Sequence, residues 1–295
     1  MTRVALFGQF YHQGSERFIE TIIDTLFTQN IEVCMIRELW DLLEKHKITI
    51  SQGDRVNIID APDPNLDFFI SVGGDGTMLK AITYVRDLNI PVIGINTGRL
   101  GFLSTIPKED ITQQLTQLIT GDYRISERTL IEVKTSGSEQ QKRALNFALN
   151  EVSINRKNST SMIRVDVWVD REHLNTYWSD GLIVATPTGS TGYSLSCGGP
   201  IIHPEAANLL ITPIAPHNLN ARPLIIPDDC EVRLKVSAGE SHHLMSLDSR
   251  LETLANDTEI ILRKAPFRIR MVHLSETSFI KTLREKMYWG EDKRN

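Results

Sequence analysis

The first part of the chain, about 120 residues, alternates short apolar runs with helical patterns. The runs occupy residues 4–10, 31–36, 67–72 and 90–96, and each is apolar on both faces. Residues 15–27, 76–88 and 108–121 instead repeat apolar positions at helical spacing. Doubly buried strands alternating with helices predict a parallel sheet covered by helices on both faces. We therefore assign residues 1–125 to an α/β domain.

From about Ser126 the hydrophobic pattern changes to a period of two. In residues 162–170, Ile or Val at odd positions from 163 alternates with Arg, Asp, Trp and Asp, which predicts a half-buried strand. Similar strands are predicted at 128–135, 143–156, 180–189, 222–229, 231–237 and 242–248. The next clear helical pattern covers residues 278–288. Residues 126–269 are thus predicted to form an all-β domain.

Composition narrows the class of protein. The chain has 295 residues, a net charge of −5 and a pI of about 5.9, so it lacks the basic field of a nucleic-acid-binding protein. No apolar run reaches the ~20 residues of a membrane span, and the first ten residues do not read as a secretory signal. Cys34, Cys197 and Cys230 form neither a disulfide framework nor a metal pair. We expect a cytoplasmic protein.

A glycine-rich motif, Gly73-Gly74-Asp75-Gly76-Thr77, follows the apolar run 67–72 and precedes a helical pattern. Ligands bind at the carboxyl ends of parallel strands, where glycines admit a phosphate and a helix start offers N–H groups. Neither GxGxxG nor the Walker motif is present. Asp75 is either the N-cap of the following helix or an acid that takes a proton or holds Mg²⁺. Lys80 lies one turn further along.

Residues 179–202 combine seven Ser, Thr and Tyr side chains between 186 and 196 with five glycines. Hydroxyl groups, backbone amides and the ring of Tyr193 suit a ribose and a stacked base. A long loop without secondary structure is usually functional, and a cluster of structural turns is the alternative.

These segments, in this order and spacing, resemble the bacterial type of ATP-dependent NAD kinase. The resemblance rests on residues 73–77, Asn150-Glu151 and residues 180–200, with further matches at 94–103, 214–224 and 246–250. It covers nearly the whole chain. It implies transfer of the γ-phosphate of ATP to the 2′-hydroxyl of the adenosine ribose of NAD, which yields NADP and ADP. The implied fold is a Rossmann-like α/β domain and a β-sandwich domain, with residues 270–295 returning to the first domain.

The resemblance also implies roles for individual residues. Asp75 matches the general base, and a divalent cation, Mg²⁺, accompanies ATP. The family suggests a homo-oligomer, a dimer or tetramer, with NAD and ATP as its small-molecule partners. The phosphate loop comprises Gly73, Gly74, Gly76 and Thr77, and the NAD-binding positions are Asp75, Gly76, Lys80, Asn150, Glu151, Asp180, Thr191, Gly192, Tyr193, Ser194, Leu195, Ser196, Ala215 and Arg250.

Three positions depart from the family pattern. Trp178 stands where many bacterial members have Arg, Gly192 where Ala is frequent, and Arg250 where many have Gln. A lipid or sugar kinase sharing the GGDG loop and a non-catalytic NAD-binding module are the competing interpretations. The hydroxyl-rich segment argues against the former and Asp75 against the latter. The sequence leaves open whether polyphosphate replaces ATP, whether NADH is accepted and whether NADP(H) regulates the enzyme.

Overall fold

The structure, a computed structural model, describes residues 1–9, 15–98, 101–136, 145–157, 162–237, 241–274 and 278–287. Parts of the predicted segments at 4–10, 94–103, 143–156, 270–295 and 278–288 lie outside these residues. The chain divides into two compact units, Met1–Glu127 with Ile269–Asn295, and Arg128–Arg268.

The helices and strands follow in chain order. The helices are α1 Ser15–Thr28, α2 Arg37–Lys45, α3 Asp75–Val85, α4 Ile111–Thr120, α5 Tyr193–Ser196 and α6 Phe279–Met287. The strands are β1 Arg3–Phe7, β2 Glu32–Ile36, β3 Asn57–Ile59, β4 Phe68–Val72, β5 Val92–Asn96, β6 Ile106–Pro107, β7 Tyr123–Arg128, β8 Ile131–Thr135, β9 Phe147–Ala148, β10 Glu151–Arg156, β11 Ile163–Val169, β12 Glu172–Ser179, β13 Gly181–Ala185, β14 Asn208–Ile214, β15 Leu224–Pro227, β16 Val232–Ser237, β17 His242–Leu247, β18 Arg250–Ala255, β19 Glu259–Lys264 and β20 Ile269–Leu274.

The first unit contains a sheet in the order β3-β2-β1-β4-β5-β20-β7, with β6 paired to β5. Neighbours from β3 to β5 are parallel. Strands β4 and β5 are buried at every position, because helices cover both faces of the sheet. Helix α1 packs on α4, and the Tyr84 hydroxyl of α3 donates to Glu38 of α2 at 2.7 Å. The predicted α/β unit is confirmed.

The strand order of this sheet includes a point at which the direction of winding reverses. From β1 the chain proceeds outward to β2 and β3, and then returns to place β4 on the other side of β1. The direction of winding reverses between β1 and β4, and ligands bind at the carboxyl ends of strands at such a switch point. The glycine-rich motif begins directly after β4.

The second unit is built from two antiparallel sheets, β15-β14-β13-β10-β17-β18 and β12-β11-β16-β19-β8-β9. Their inner faces share one hydrophobic core, which includes Val152 and Val184 from the first sheet and Val165 and Leu234 from the second. This arrangement is a β-sandwich, and the predicted all-β unit is confirmed. Two-residue turns with positive φ at both positions close the hairpins β11–β12 and β17–β18.

Candidate functional site

Asp75 is not the N-cap of its helix. Gly74 occupies the cap position of α3, and Asp75 is the first helical residue and makes no capping hydrogen bond. Its carboxylate instead accepts three backbone N–H groups from the loop after β5: Oδ2 from Phe102 at 2.8 Å, and Oδ1 from Leu103 and Ser104, each at 3.0 Å. A carboxylate has about four acceptor directions, so one direction, on Oδ2, is left.

The glycines around Asp75 serve different purposes. Gly73 has a φ of 151°, and a methyl group there would overlap the Thr77 side chain, so local packing requires glycine. At Gly74 and Gly76, apart from the chain neighbours and the backbone of α3, no atom of the described residues lies within 4 Å of the position of an added Cβ. Glycine at these two positions therefore leaves open space beside Asp75, which is the geometry that the approach of a ligand requires.

The loop bonded to Asp75 is itself packed within the first unit. The Phe102 ring lies 6.3 Å from the ring of Phe279 on α6, and Lys286 Nζ lies 4.8 Å from the Phe102 centroid. A methyl group on Gly101 would overlap Asp75 Oδ1. The loop therefore has a fixed position relative to α6, and Asp75 has a fixed position relative to the loop.

Two other predicted residues lie on α3. Thr77 is buried next to Gly73. Lys80 is partly exposed, and its backbone carbonyl accepts the Thr83 hydroxyl at 2.7 Å. The Lys80 ammonium makes no ion pair with any described residue, which leaves it available for an anionic ligand.

In the second unit, the Asn150-Glu151 pair stands where β10 begins. Glu151 pairs with Ala185 at the end of β13, and Val152 pairs with Leu247 at the end of β17. The chain is not a continuous strand before this point, because β9 ends at Ala148 and β10 begins at Glu151. The predicted single strand over 143–156 is thus wrong. The pair lies at the end of the sheet where β10 begins and where β13 and β17 end.

The side chains of this pair have buried oxygens without partners. Among the described residues, neither Asn150 Oδ1 nor Glu151 Oε2 has a hydrogen-bond partner, although both atoms are buried. Burial and the nearby Asp248 carboxylate raise the pKa of Glu151 to about 7, and a hydrogen bond from the Tyr193 backbone N–H opposes that rise. Unsatisfied buried polar atoms are rare and costly in proteins. These two oxygens therefore indicate a place where a ligand supplies donors.

The hydroxyl-rich segment is not a structureless loop. It contains a 3-10 turn over Thr188–Thr191 followed by α5. Ser190 is buried and bonds to the backbone of Pro187 and Ile202, and the buried Ser194 hydroxyl lies 2.8 Å from that of Thr212 on β14. Several hydroxyls thus fold the segment onto the sheet, in agreement with the structural alternative.

Other members of the segment face outward. Tyr193 is 40% exposed. Thr191, Gly192 and Leu195 are partly exposed, and Ser196 is exposed. A Cβ at Gly192 would lie 3.1 Å from Glu151 Oε2, so glycine at this position keeps the carboxylate uncrowded. The exposed Tyr193 therefore lies next to the Glu151 carboxylate, which accepts its backbone N–H.

Asp180 begins at the other end of β13 and has a cationic partner. Its Oδ1 lies 2.7 Å from Arg156 Nη1 on β10. Burial is the largest cause of the raised pKa of the Tyr193 phenol, and Cys197, Asp180 and Glu151 raise it further through their charges. Trp178, two residues before Asp180, is 41% exposed and offers no charge. Arg156 thus supplies a positive charge at this end of the strand.

Ala215 has an unusual backbone conformation, and Arg250 is hydrogen-bonded to backbone carbonyls. Ala215 adopts a φ of 43°, which is uncommon for a residue with a side chain. Arg250 donates to the carbonyls of Leu247 at 3.1 Å and Leu145 at 3.4 Å, and also to that of Phe147. Its guanidinium is therefore engaged with the backbone around the start of β10.

Two residues that contact predicted site residues are absent from the predicted set: Asp248, at the start of β10, and Arg156, at its end. Asp248 accepts N–H groups next to Asn150, although in sequence it reads as an ordinary hairpin-turn residue. Arg156 reads as a solvated end of a strand. No local signal identifies either, because each acts on a partner distant in sequence.

Within the described segments, no three His, Cys, Asp or Glu side chains form a group that would hold a metal ion. None of the described helices is long and apolar enough to cross a membrane.

Comparison with known proteins identifies the family in both units. Residues 4–123 match the family model described as the ATP-NAD kinase N-terminal domain, and residues 149–274 match the ATP-NAD kinase C-terminal domain. The NAD kinase of Christiangramia forsetii is 48% identical over 99% of this chain and 100% of its own length. That of Flavobacterium psychrophilum is 47% identical over the same shares.

Solved structures of NAD(H) kinases have a similar fold. Yeast NADH kinase, solved with NADH, superposes with a TM-score of 0.85 at 25% identity and covers 99% of this chain and 89% of its own. An NAD kinase from Archaeoglobus fulgidus in complex with ATP gives a TM-score of 0.75 at 23% identity, over 97% and 99% of the two chains, which supports the fold. The chain therefore belongs to the ATP-NAD kinase family, and the prediction that it is a kinase that phosphorylates NAD with ATP is confirmed.

Proposed function

We propose that Asp75 is the general base in transfer of the γ-phosphoryl group of ATP to the 2′-hydroxyl of the adenosine ribose of NAD. The observation that carries this proposal is the environment of the Asp75 carboxylate. Three backbone N–H groups orient it, one acceptor direction on Oδ2 is left, and open space adjoins Gly74 and Gly76. A carboxylate so oriented accepts a proton without first reorganising.

The chemical need for such a base is clear. A ribose hydroxyl is a weak nucleophile near neutral pH, and a base within hydrogen-bond reach removes its proton as the new O–P bond forms. General-base assistance of this kind contributes typically ~10²–10⁴ in rate. The phosphoryl group leaves ADP and is accepted by the ribose oxygen, while the hydroxyl proton passes to Asp75.

For NAD binding, we assign Asn150 and Glu151 to the ribose and the outward face of residues 191–196 to the adenine and ribose. The buried, unpartnered oxygens of the pair support this, since ribose hydroxyls supply the missing donors. The exposure of Tyr193 supports stacking with the base. We assign Asp180 to the nicotinamide half, and Ala215 and Arg250 to further NAD contacts.

For ATP, we assign the phosphates to the motif that comprises Gly73, Gly74, Gly76 and Thr77, with Lys80 as a cationic contact. The open positions at Gly74 and Gly76 support this, as does the Lys80 ammonium, which has no ion-pair partner in the described part of the chain. The described residues offer no cluster of metal ligands. We therefore propose that the divalent cation, Mg²⁺, enters as part of the substrate, MgATP, whose negative charge it offsets.

We also propose a cytoplasmic homo-oligomer, a dimer or tetramer. Strand β15 lies at a sheet edge and carries the exposed apolar side chains Leu224 and Ile225. Association of copies through such an edge would remove these side chains from water. Size-exclusion chromatography with light scattering tests this, and a monomer at micromolar concentration would contradict it.

The activity itself is tested by incubation with NAD, ATP and Mg²⁺, with NADP read by an NADP-specific dehydrogenase. Formation of NADP that depends on all three is expected. NAD binding without turnover would indicate a non-catalytic NAD-binding module, and phosphorylation of a lipid or sugar in preference to NAD would indicate the other kinase class. Substituting polyphosphate for ATP, or NADH for NAD, decides donor and acceptor specificity.

A further inference from the structure

We propose that Asp248 is a positioning residue for NAD binding, which fixes the backbone of the Asn150-Glu151 pair and provides the negative charge that Glu151 faces. The inference rests on the proposed role of that pair in binding NAD. It adds a residue that contacts the pair rather than the ligand.

The first support is a set of three hydrogen bonds. Asp248 Oδ2 accepts the N–H of Leu149 at 2.6 Å, and Oδ1 accepts those of Asn150 at 2.7 Å and Glu151 at 3.1 Å. Leu149 and Asn150 lie in the interruption between β9 and β10, and Glu151 is the first residue of β10. A single carboxylate thus satisfies the backbone N–H groups at the residues that carry the binding side chains.

The second support is that the surrounding structure holds Asp248 in turn. It is 8% exposed and occupies the first position of the two-residue β17–β18 turn, with a φ of 48°. Arg250 Nη2 lies 3.9 Å from Asp248 Oδ2. From the other side, the Thr186 N–H donates to the Asn150 carbonyl at 2.8 Å, and Gly189 packs against the Asn150 backbone where a Cβ would overlap it. The pair is therefore fixed from two directions.

The third support concerns charge. The titratable and charged groups of the second unit that face Glu151 are Asp248, from the β17–β18 turn, and the Tyr193 phenol, from α5, with Arg250 beside Asp248. Burial raises the pKa of Asp248 too, but its three backbone N–H donors and the charge of Arg250 oppose that rise. Glu151 Oε2 has no hydrogen-bond partner among the described residues, and only the Tyr193 backbone N–H opposes the rise in the pKa of Glu151. We place the negative charge on Asp248 for this reason. Glu151 therefore retains a proton to a higher pH, and its pKa rises to about 7.

This arrangement makes NAD binding sensitive to pH. A ribose hydroxyl donates more strongly to an ionised carboxylate than to a neutral one. The NAD Michaelis constant is therefore expected to rise as the pH falls through about 7, the raised pKa of Glu151. Loss of the charge at position 248 lowers that pKa, so the rise in the Michaelis constant moves to lower pH.

The test is Asp248→Asn, with NAD and ATP Michaelis constants and kcat measured on both sides of neutral pH. Asn accepts two of the three N–H groups but places its own NH₂ against the third. The expected result is a raised NAD Michaelis constant, because the NH₂ opposite the Leu149 N–H displaces the backbone that carries the side chains of Asn150 and Glu151. The ATP constant stays nearly unchanged, and the acidic rise moves to lower pH. An unchanged NAD constant, or a raised one whose pH dependence stays in place, would overturn the proposal.

Glu151→Gln provides the second measurement, which also holds if Asp248→Asn does not fold. Above pH 7 it removes a buried charge that repels Asp248, so its melting temperature should exceed that of the wild type. An equal or lower value would contradict the charge coupling. This variant also separates the positioning role of Asp248 from the NAD-binding role of the Asn150-Glu151 pair. A raised NAD constant in Glu151→Gln with none in Asp248→Asn rejects only Asp248, whereas no change in Glu151→Gln rejects the proposed NAD-binding role of the pair.

Discussion

Aspartate at position 75 and asparagine are not interchangeable in this structure. Asp75 Oδ1 accepts two N–H groups and Oδ2 accepts one. An asparagine with its oxygen at the Oδ1 position would direct its NH₂ at the Phe102 N–H, and the opposite orientation would direct it at two such groups. Asp75→Asn therefore disturbs the loop at 101–104 as well as removing a proton acceptor, and a test of the base has to observe both effects.

The ring of Tyr193 gives the first prediction. Stacking of a base on an aromatic ring contributes ~1–3 kcal/mol, so Tyr193→Ala should weaken NAD binding several-fold or more by calorimetry. Tyr193→Phe is the matched control, since it keeps the ring and removes only the hydroxyl, and it should bind NAD nearly as the wild type does. Equal NAD affinity in Tyr193→Ala and the wild type would remove Tyr193 from the proposed site.

The sequence predicts the position of some site residues but not their hydrogen-bond partners. The position of Asp75 after a buried parallel strand follows from the pattern of apolar residues. Its hydrogen-bond partners do not, because they lie 27 to 29 residues further along the chain. The hydrogen-bond partners of Asp248 are likewise distant in sequence, at 97 to 99 residues. Such contacts depend on the tertiary fold, and local periodicity carries no information about them.

At the scale of elements, the loop at 101–104 connects Asp75 to α6. Gly101→Ala introduces a methyl group that overlaps Asp75 Oδ1, so the loop or the carboxylate has to move. We expect a large loss of NADP formation with far-ultraviolet circular dichroism unchanged. Gly98→Ala is the control from the same segment, since its nearest contact would be Asn96 Oδ1 at 3.8 Å, and it should retain activity. Full activity in Gly101→Ala would show that the observed loop position is not needed for turnover.

The elements themselves were only partly predictable. Buried strands and amphipathic helices of the first unit follow from periodicity, yet α2 and β3 were not predicted. Helix α2 follows β2 without a connecting loop or a capping side chain, so neither of the usual start signals marks it. In the second unit, the apolar positions change from odd (145, 147 and 149) to even (152 and 154) across the interruption between β9 and β10, a break that the prediction of one strand overlooks. The pattern does not reveal that Asp248 satisfies the amides there.

At the scale of the whole molecule, the cation gives a further prediction. Because Mg²⁺ is proposed to enter with ATP, it is expected to act in turnover and not to hold the fold together. Chelation with EDTA should abolish NADP formation, and excess Mg²⁺ should restore it, while the melting temperature of the ligand-free protein stays constant. A lower melting temperature in EDTA would instead indicate a structural metal.

Asp75→Asn tests the proposal that Asp75 takes the proton from the NAD ribose hydroxyl. One folded preparation provides the rate of NADP formation, the NAD affinity by calorimetry, and the backbone amide NMR signals of Phe102, Leu103 and Ser104. Gly101→Ala shows what displacement of the loop alone does to the rate. The account predicts a rate at least ~10²-fold below the wild type, and below that of Gly101→Ala, with NAD affinity equal or slightly higher. Turnover near that of the wild type would contradict it.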